Sequence, residues 1–308
     1  MRVDLRLKEE LHWSDCSIDG AGCLVFQPLR APGELDRRFC MKLVAVFLAV
    51  LVVLVFPVTV TARTWYVSPY GSGDATTIQA GIDLASTGDV VLVASGTYTH
   101  AGNWNLDFGG KNLTLRSEAG PQATIINCGT FSRGVYFHSG EGAGAVVEGF
   151  TIMSGYVGDF GIGAGIYSVD SSPTITNCIF YANTAMQGAG MYCSGGSPTI
   201  SNCTFSLNQA RDVMYMGQGI GGGILCGGSS LTITDCIFSG NQADVGAGGS
   251  FYECQLTLTG CAFSGNSAYA YGGGGGMVLR GLRGYRQLHV LGELLQSRFR
   301  RVLQLQLA

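Results

Sequence analysis

Ser-Pro-Thr-Ile-Thr-Asn-Cys-Ile-Phe, residues 172–180, ends in a phrase that the chain repeats. Asn-Cys-Ile-Phe at 177–180 returns as Asn-Cys-Thr-Phe at 202–205, Asp-Cys-Ile-Phe at 235–238 and Gly-Cys-Ala-Phe at 260–263. An asparagine follows each phenylalanine by three residues, at Asn183, Asn208, Asn241 and Asn266. The cysteines Cys178, Cys203, Cys236 and Cys261 are spaced by 25, 33 and 25 residues. A repeat this short encloses no core of its own, so neighbouring copies must stack and share one.

Within 172–180, Ile175 and Cys178 are three residues apart, and Cys178 and Phe180 are two apart. Side chains of a strand alternate between faces, so all three point inward only if the chain turns a corner at Thr176-Asn177. Asparagine tolerates the left-handed backbone that such a corner needs. The offset from Phe180 to Asn183 marks a second corner. A glycine-rich step before an apolar residue marks another: Gly188-Ala-Gly-Met191, Gly221-Gly-Gly-Ile224 and Gly273-Gly-Gly-Gly-Met277. Short strands joined by such corners describe one coil of an all-β, parallel β-helix solenoid, with successive coils ~4.8 Å apart. The ladders expected are Ile175/Ile200/Ile233/Leu258, the four cysteines, and Phe180/Phe205/Phe238/Phe263. A decayed earlier coil runs through Val147–Ile152, with Gly163-Ala-Gly-Ile166 as its glycine corner. The longer 33-residue interval carries its extra residues at Arg211–Gln218, a loop projecting from one edge.

Upstream, Ile78, Ile82 and Leu84/Ala85 recur at helical spacing, followed by the strand-like Val90–Val93 and by Gly96-Thr-Tyr98. A short amphipathic helix there would cover the open end of the solenoid. The segment Ala75–Tyr98 resembles the N-terminal cap of right-handed parallel β-helix proteins of the pectin-lyase-like superfamily. Phe-x-x-Asn with Gly-Ala-Gly or Gly-Gly-Gly before an apolar residue resembles the polymorphic outer membrane protein repeats of bacterial surface proteins. The resemblance spans residues 64–284. It implies the fold and a place outside the cytoplasm of a bacterium, but the same fold carries enzymes and adhesins alike.

Composition agrees with an ordered, uncharged surface. Charged residues make up 13% of the chain, hydrophobic ones 46%, and 48 of 308 are glycine, without the period of collagen. A net charge of −3, with Lys111 the single lysine between residues 63 and 284, argues against nucleic-acid binding. Met41-Lys42 opens an apolar run, Leu43–Phe56, closed by Pro57 and Val60-Thr61-Ala62. That order matches a signal peptide cut after Ala62, the alternative being a membrane anchor. Residues 1–40 show no period or motif and read as an unstructured segment from a start codon placed too early, or as an extra cytosolic segment. The division expected is therefore 1–40 upstream segment, 41–62 signal peptide, 63–110 cap and first coil, 111–284 repeat coils and 285–308 aberrant tail.

Eight of the eleven cysteines follow the signal peptide, where disulfides persist. An inward ladder of unbonded cysteines is the preferred reading, because side chains in a ladder run parallel. Cys193 and Cys226 form a candidate second ladder, and Cys254 breaks its register. No CxxC pair occurs and His12, His100, His138 and His289 are scattered, so no metal or cofactor is assigned. Uronate-cleaving relatives gather Asp or Glu with Arg or Lys on one face. Here Asp235 takes the corner of Asn177 and Asn202, while Asp170, Asp212, Asp244 and Glu253 read as sharing no register, with Arg211 the main basic neighbour. The sequence assigns no catalytic residue and fixes no binding residue. Asn112-Leu-Thr and Asn202-Cys-Thr fit the glycosylation pattern but read as strand and corner residues.

The reading is a secreted or surface-exposed β-helix, an adhesive or scaffold module for glycan or surface-protein partners, touching a membrane only through its signal peptide or a missing C-terminal domain. The alternatives are a polysaccharide lyase or glycoside hydrolase acting on uronate-containing polymers, and a bare stalk. After Arg280 the repeat disappears into Leu, Gln and Arg. An amphipathic capping helix is one account. A frameshift is the other: read one base later, permitted codons for Gln287–Glu293 spell Asn-Cys-Thr-Phe-Ser-Gly-Asn, and those for Arg298–Leu303 spell Gly-Ser-Gly-Gly-Tyr-Cys. Sequencing of the coding DNA should find those codons; codons at 287–293 that cannot be read so would end the frameshift account.

Overall fold

The computed structural model describes residues 61–129, 132–212, 218–269 and 275–281, together with the backbone of 16–18, 24–26 and 284–292. The expected signal peptide up to residue 60, the loop interior at 213–217, Gly273 and Gly274, and the tail from 293 lie outside the described residues. The chain divides into Met1–Val60 and Thr61–Ala308. In the first unit Cys16–Ile18 pairs antiparallel with Leu24–Phe26, so the segment expected to lack structure contains a strand pair. Cys16-Ser-Ile18 and the apolar Leu24-Val-Phe26 on either side of the glycine-containing Asp19–Cys23 are a hairpin pattern that the search for a solenoid period passes over.

The second unit is the expected right-handed parallel β-helix. Its first sheet stacks Trp65, Val91, Leu115, Val147, Ile175, Ile200, Ile233 and Leu258 in one register. The second stacks Tyr98, Ile126, Ile152, Phe180, Phe205, Phe238 and Phe263. The third stacks Leu106, Val135, Ile166, Met191, Ile224, Gly249 and Met277. Every expected ladder is present, and so is the decayed coil at Val147–Ile152. Coils also run further upstream than the phrase reveals, beginning at Thr64–Val67.

Steric limits at the corners explain the repeated phrase. Between the first and second sheets the chain turns through positive φ at Asn177 (51°), Asn202 (52°) and Asp235 (52°), which frees the next residue, cysteine, to point inward. The following corner turns at Ala182, Leu207, Gly240 and Gly265, one residue before each asparagine. Asn183, Asn208 and Asn241 are wholly buried. Each donates its amide to the next Oδ1: Asn183 to Asn208 at 3.0 Å, Asn208 to Asn241 at 3.0 Å and Asn241 to Asn266 at 2.9 Å. Each also donates to the main chain below, Asn208 Nδ2 to Phe180 O at 3.0 Å and Asn241 Nδ2 to Phe205 O at 2.9 Å.

Beside this ladder the rings of Phe180, Phe205, Phe238 and Phe263 stack at 4.6, 4.9 and 4.6 Å, within 13° of parallel. They leave no room for a side chain opposite. A Cβ on Gly190 would lie 2.4 Å from Gly223 O and 2.9 Å from the Phe205 ring, so the last glycine of each Gly-x-Gly step is a packing requirement. In the loop coil, Ala185 pairs with Ala210 and Gln187 with Ile220; nine residues, 211–219, stand where residue 186 alone stands below. The eight additional residues lie where the spacing places them.

The capping helix is Ile78–Leu84. Thr77 Oγ1 accepts from Ala80 N, and Lys111 Nζ donates to the carbonyls of Ile82 (2.7 Å) and Ala85 (3.0 Å) at the other end. Ile78 and Ile82 are buried, and a Cβ on Gly81 would lie 2.5 Å from Val67 and 2.9 Å from Val91, so the helix lies directly on the first two rungs. At the other end Gly284–Gly292 pairs in parallel with Gln255–Phe263, with irregularities between Leu256 and Thr257 and between Leu258 and Cys261. The aberrant composition thus begins as one more strand in an imperfect register.

Asn208→Ala removes one rung and leaves Phe180 O and the Asn183 amide without their partner. It should lower unfolding free energy in urea by roughly 2–5 kcal/mol. Asn202→Gly, at a corner that glycine adopts freely, should change it by less than about 1 kcal/mol.

Candidate functional site

Strand alternation decides which side chains of the third sheet face outward. With Val135, Ile166 and Met191 inside, Tyr136, Tyr167 and Tyr192 stand outside in one column that begins at Asp107. Tyr136 and Tyr167 have ring centroids 5.1 Å apart at 52°, and Tyr167 and Tyr192 are 5.5 Å apart at 17°. His138, two residues along the strand from Tyr136, stacks on that ring at 4.0 Å. Its Nε2 is 3.1 Å from Asp107 Oδ2. All three tyrosines are half-buried, each ring packed against the next and partly exposed over three consecutive coils.

Arg133 runs alongside the column, its guanidinium carbon 4.9 Å from the Tyr136 ring and 4.8 Å from that of Tyr167. Such a placement is favourable for a cation against π faces. Its Nη1, however, is buried and has no hydrogen-bond partner. Burial lowers the guanidinium's pKa, opposed by Tyr136 and Tyr167, while burial raises that of Tyr167, helped by Tyr136 and Tyr192. Arginine stays charged throughout the ordinary pH range. The face therefore holds a half-buried cation beside an aromatic column.

Behind the His138 corner lies Glu141, 1% exposed. It accepts from Gly110 N at 2.9 Å, Ser139 N at 3.0 Å and the Ser171 hydroxyl at 2.9 Å. Burial alone would raise its pKa, but the donors from Ser139, Gly110 and Ser171 outweigh it and hold it below the ordinary value. A carboxylate kept ionised by three donors is a bracket between coils rather than a proton shuttle.

The acidic residues singled out from the sequence do not converge. Asp235 is a corner residue. Asp244 Oδ2 accepts from Gly219 N at 2.9 Å, and Asp212 Oδ2 accepts from Gln218 N at 3.2 Å, across the base of the loop. Arg211 is exposed on that loop. One expectation needs correction: Asp170 and Glu253 do share a register, both at the positive-φ corner after the third sheet, where Gly195, Gly228 and Gly281 stand in other coils. Three coils separate them, roughly 14 Å at ~4.8 Å per coil, too far for a shared proton transfer. Local offsets hid this register because the glycines that continue it have no side chain to mark it.

The cysteines divide. Cys178, Cys203, Cys236 and Cys261 form the expected unbonded, buried ladder. Burial, with Cys178 and Cys236 on either side, raises the Cys203 thiol, and burial pushes Cys128 up to about 12. Thiols held protonated are poor nucleophiles. Cys193 and Cys226, read from sequence as a second ladder, are joined by a disulfide across adjacent coils with Cα atoms 4.6 Å apart. Parallel side chains on neighbouring rungs can rotate towards one another when both are cysteine; Ser168 and Phe251 occupy the rungs on either side. Cys254 falls outside that column, as its spacing implies.

The tyrosine column did leave a trace in the sequence. Gly134-Val-Tyr136, Gly165-Ile-Tyr167 and Gly190-Met-Tyr192 repeat one residue beyond the glycine corner, whose pattern ends at the apolar residue. Arg133, His138 and Asp107 left none, because Arg133 meets Tyr167 across 34 residues and His138 meets Asp107 across 31.

Residues 116–283 match the family model described as right handed beta helix region. Among solved structures, a pectin methylesterase from carrot matches with 15% sequence identity and a TM-score of 0.43, over 68% of this chain and 65% of that one. The chain thus spans less than two thirds of that protein's length. No curated protein matches it.

Because the Glu141 pKa is depressed in the folded state, its contribution to stability is present above the ordinary value of 4.5 and is lost as pH falls through the folded pKa. The urea midpoint of the parent should therefore fall below about pH 4.5. Glu141→Gln should be less stable at pH 7 and show a flatter decline across that window.

Proposed function

We propose that this chain, a member of the right-handed β-helix family, is a glycan-binding module that serves an adhesive or scaffold role outside the cell. The observation that carries this is the outward column Tyr136–Tyr167–Tyr192 with the half-buried guanidinium of Arg133 beside it. Rigid aromatic side chains offer a large contact at little entropic cost, and their hydroxyls provide polar contacts with the edges of a sugar. A column repeating with the coils suits a polymer that itself repeats. Arg133 adds a planar donor matched to a carboxylate, which favours acidic polysaccharides over neutral ones. The leader-like run at 41–62 and the likeness of the repeats to those of bacterial surface proteins support display at the cell surface.

The second reading is an enzyme that cleaves such polymers. The pair of His138 and Asp107 at 3.1 Å favours it, since a carboxylate can orient an imidazole for proton transfer. Glycoside hydrolysis ordinarily uses two carboxyl groups ~5–9.5 Å apart. Asp107 and Asp170 both adjoin the column, but two coils separate them, roughly 10 Å along the axis at ~4.8 Å per coil and more across the strand, so binding without cleavage is the better account.

Affinity electrophoresis through polygalacturonate and through dextran separates these readings. The parent chain should be retarded by polygalacturonate, and Tyr167→Ala should weaken that binding at least tenfold, about 1.4 kcal/mol. Arg133→Gln should erase the preference for the acidic polymer. Unchanged retardation of Tyr167→Ala would refute the column as the site, and new reducing or unsaturated ends in the polymer would favour the enzyme.

A further inference from the structure

Two of the coils carry insertions at the same edge, and they bracket one that does not. Tyr156 pairs with Thr184 and Ile162 with Gln187, so six steps of chain stand against three. On the other side, Ala185 pairs with Ala210 and Gln187 with Ile220, so ten steps stand against two. Thr184 and Ala185 of the short turn become the floor of a groove of about 410 Å³, with Tyr156–Asp159 on one side and Arg211 on the other. That is within the usual ~300–1,000 Å³ of a small-molecule site.

Polar groups line this groove. The Tyr156 hydroxyl donates to Asp159 Oδ1 at 2.5 Å, which fixes the carboxylate on one wall. Arg211 stands on the other wall, and Thr184 and Ala185 form the floor. Phe160, 61% exposed, adjoins Asp159 on the first loop. One carboxylate and one guanidinium sum to zero charge, so neither an anion nor a cation finds an uncompensated partner. An uncharged ligand with many hydroxyls finds an acceptor on one wall and a fork of donors on the other.

We infer that this groove is a second binding site, taking a single neutral sugar residue of hexose size, separate from the tyrosine column. The site takes its ligand class from the carbohydrate-binding reading, but neither its walls nor its floor include any residue of the column. A chain with both sites can hold a polymer along its face and a neutral branch or end unit at its edge.

Saturation-transfer NMR of the full chain with methyl glucoside, methyl galactoside, methyl mannoside and glucuronate tests this. At least one methyl hexoside should bind with a Kd near 1 mM, about −4 kcal/mol, while glucuronate binds more weakly. Asp159→Asn and Arg211→Ala, both at exposed positions, should each lower the hexoside affinity at least tenfold with circular dichroism unchanged. Tyr167→Ala should leave it intact. The groove is refuted if no methyl hexoside binds at 20 mM, roughly twentyfold above that Kd. It is equally refuted if Asp159→Asn binds as the parent does, or if Tyr167→Ala is the variant that loses the signal. Failure of the column instead appears as polygalacturonate retention that Tyr167→Ala does not change, so the two failures are distinguishable.

Discussion

A primary amide buried away from water has two donors and two acceptor lone pairs to satisfy, and leaving any of them unmet is costly. Asn208 meets this demand through neighbouring coils. Its Nδ2 donates upward to Asn241 Oδ1 and downward to Phe180 O, while its Oδ1 accepts from both the main chain and the amide of Asn183. The same set recurs at Asn241, where Asn266 supplies the next rung. Each asparagine is satisfied only if the coils above and below are in register. The ladder converts a local turn residue into a constraint on stacking, and the rest of the solenoid follows from the spacing it imposes.

With register fixed, like side chains must stand on like, and packing becomes one-dimensional. Phenylalanine rings stack because the coils repeat at the separation rings favour, and glycine faces each ring because a Cβ there would collide with the next coil's carbonyl. Cysteine fits the narrow inner corner as a small apolar side chain, and where two inward cysteines share a column beside Ser168 and Phe251 they are bonded. The same repetition acts on the outside. A tyrosine following the glycine corner in three coils becomes a continuous aromatic column, and two insertions either side of an uninserted coil become the walls of a groove. Function on this scaffold depends on what the outward positions repeat and where the edge departs from the repeat.

The inward positions were legible because each is tied to a local steric rule. Asn177, Asn202 and Asp235 had to be corners, since Ile175 and Cys178 could not otherwise face the same way. The loop at Arg211–Gln218 followed from the one interval longer than its neighbours. Less was legible upstream, where Val91 and Leu115 continue the first ladder without the cysteine phrase to announce it. The shared corner of Asp170 and Glu253 was hidden because glycine fills it in the coils between. The Cys193–Cys226 bond was hidden because alternation specifies a face but not the rotation of a side chain within it.

By itself, then, the sequence determined the solenoid: its period, its corners, its three inward ladders and the site of its longest loop. These are consequences of alternation, of allowed φ and of the volume beside each ring, all of which act over a few residues. Only the tertiary structure decided which outward groups meet. Arg133 comes to lie beside both Tyr136 and Tyr167, His138 against Asp107, and Asp159 across the groove from Arg211, because coil stacking brings together residues that lie up to 52 positions apart. Outward positions face water, so no hydrophobic period marks them, and their partnership exists only once the coils have stacked in register.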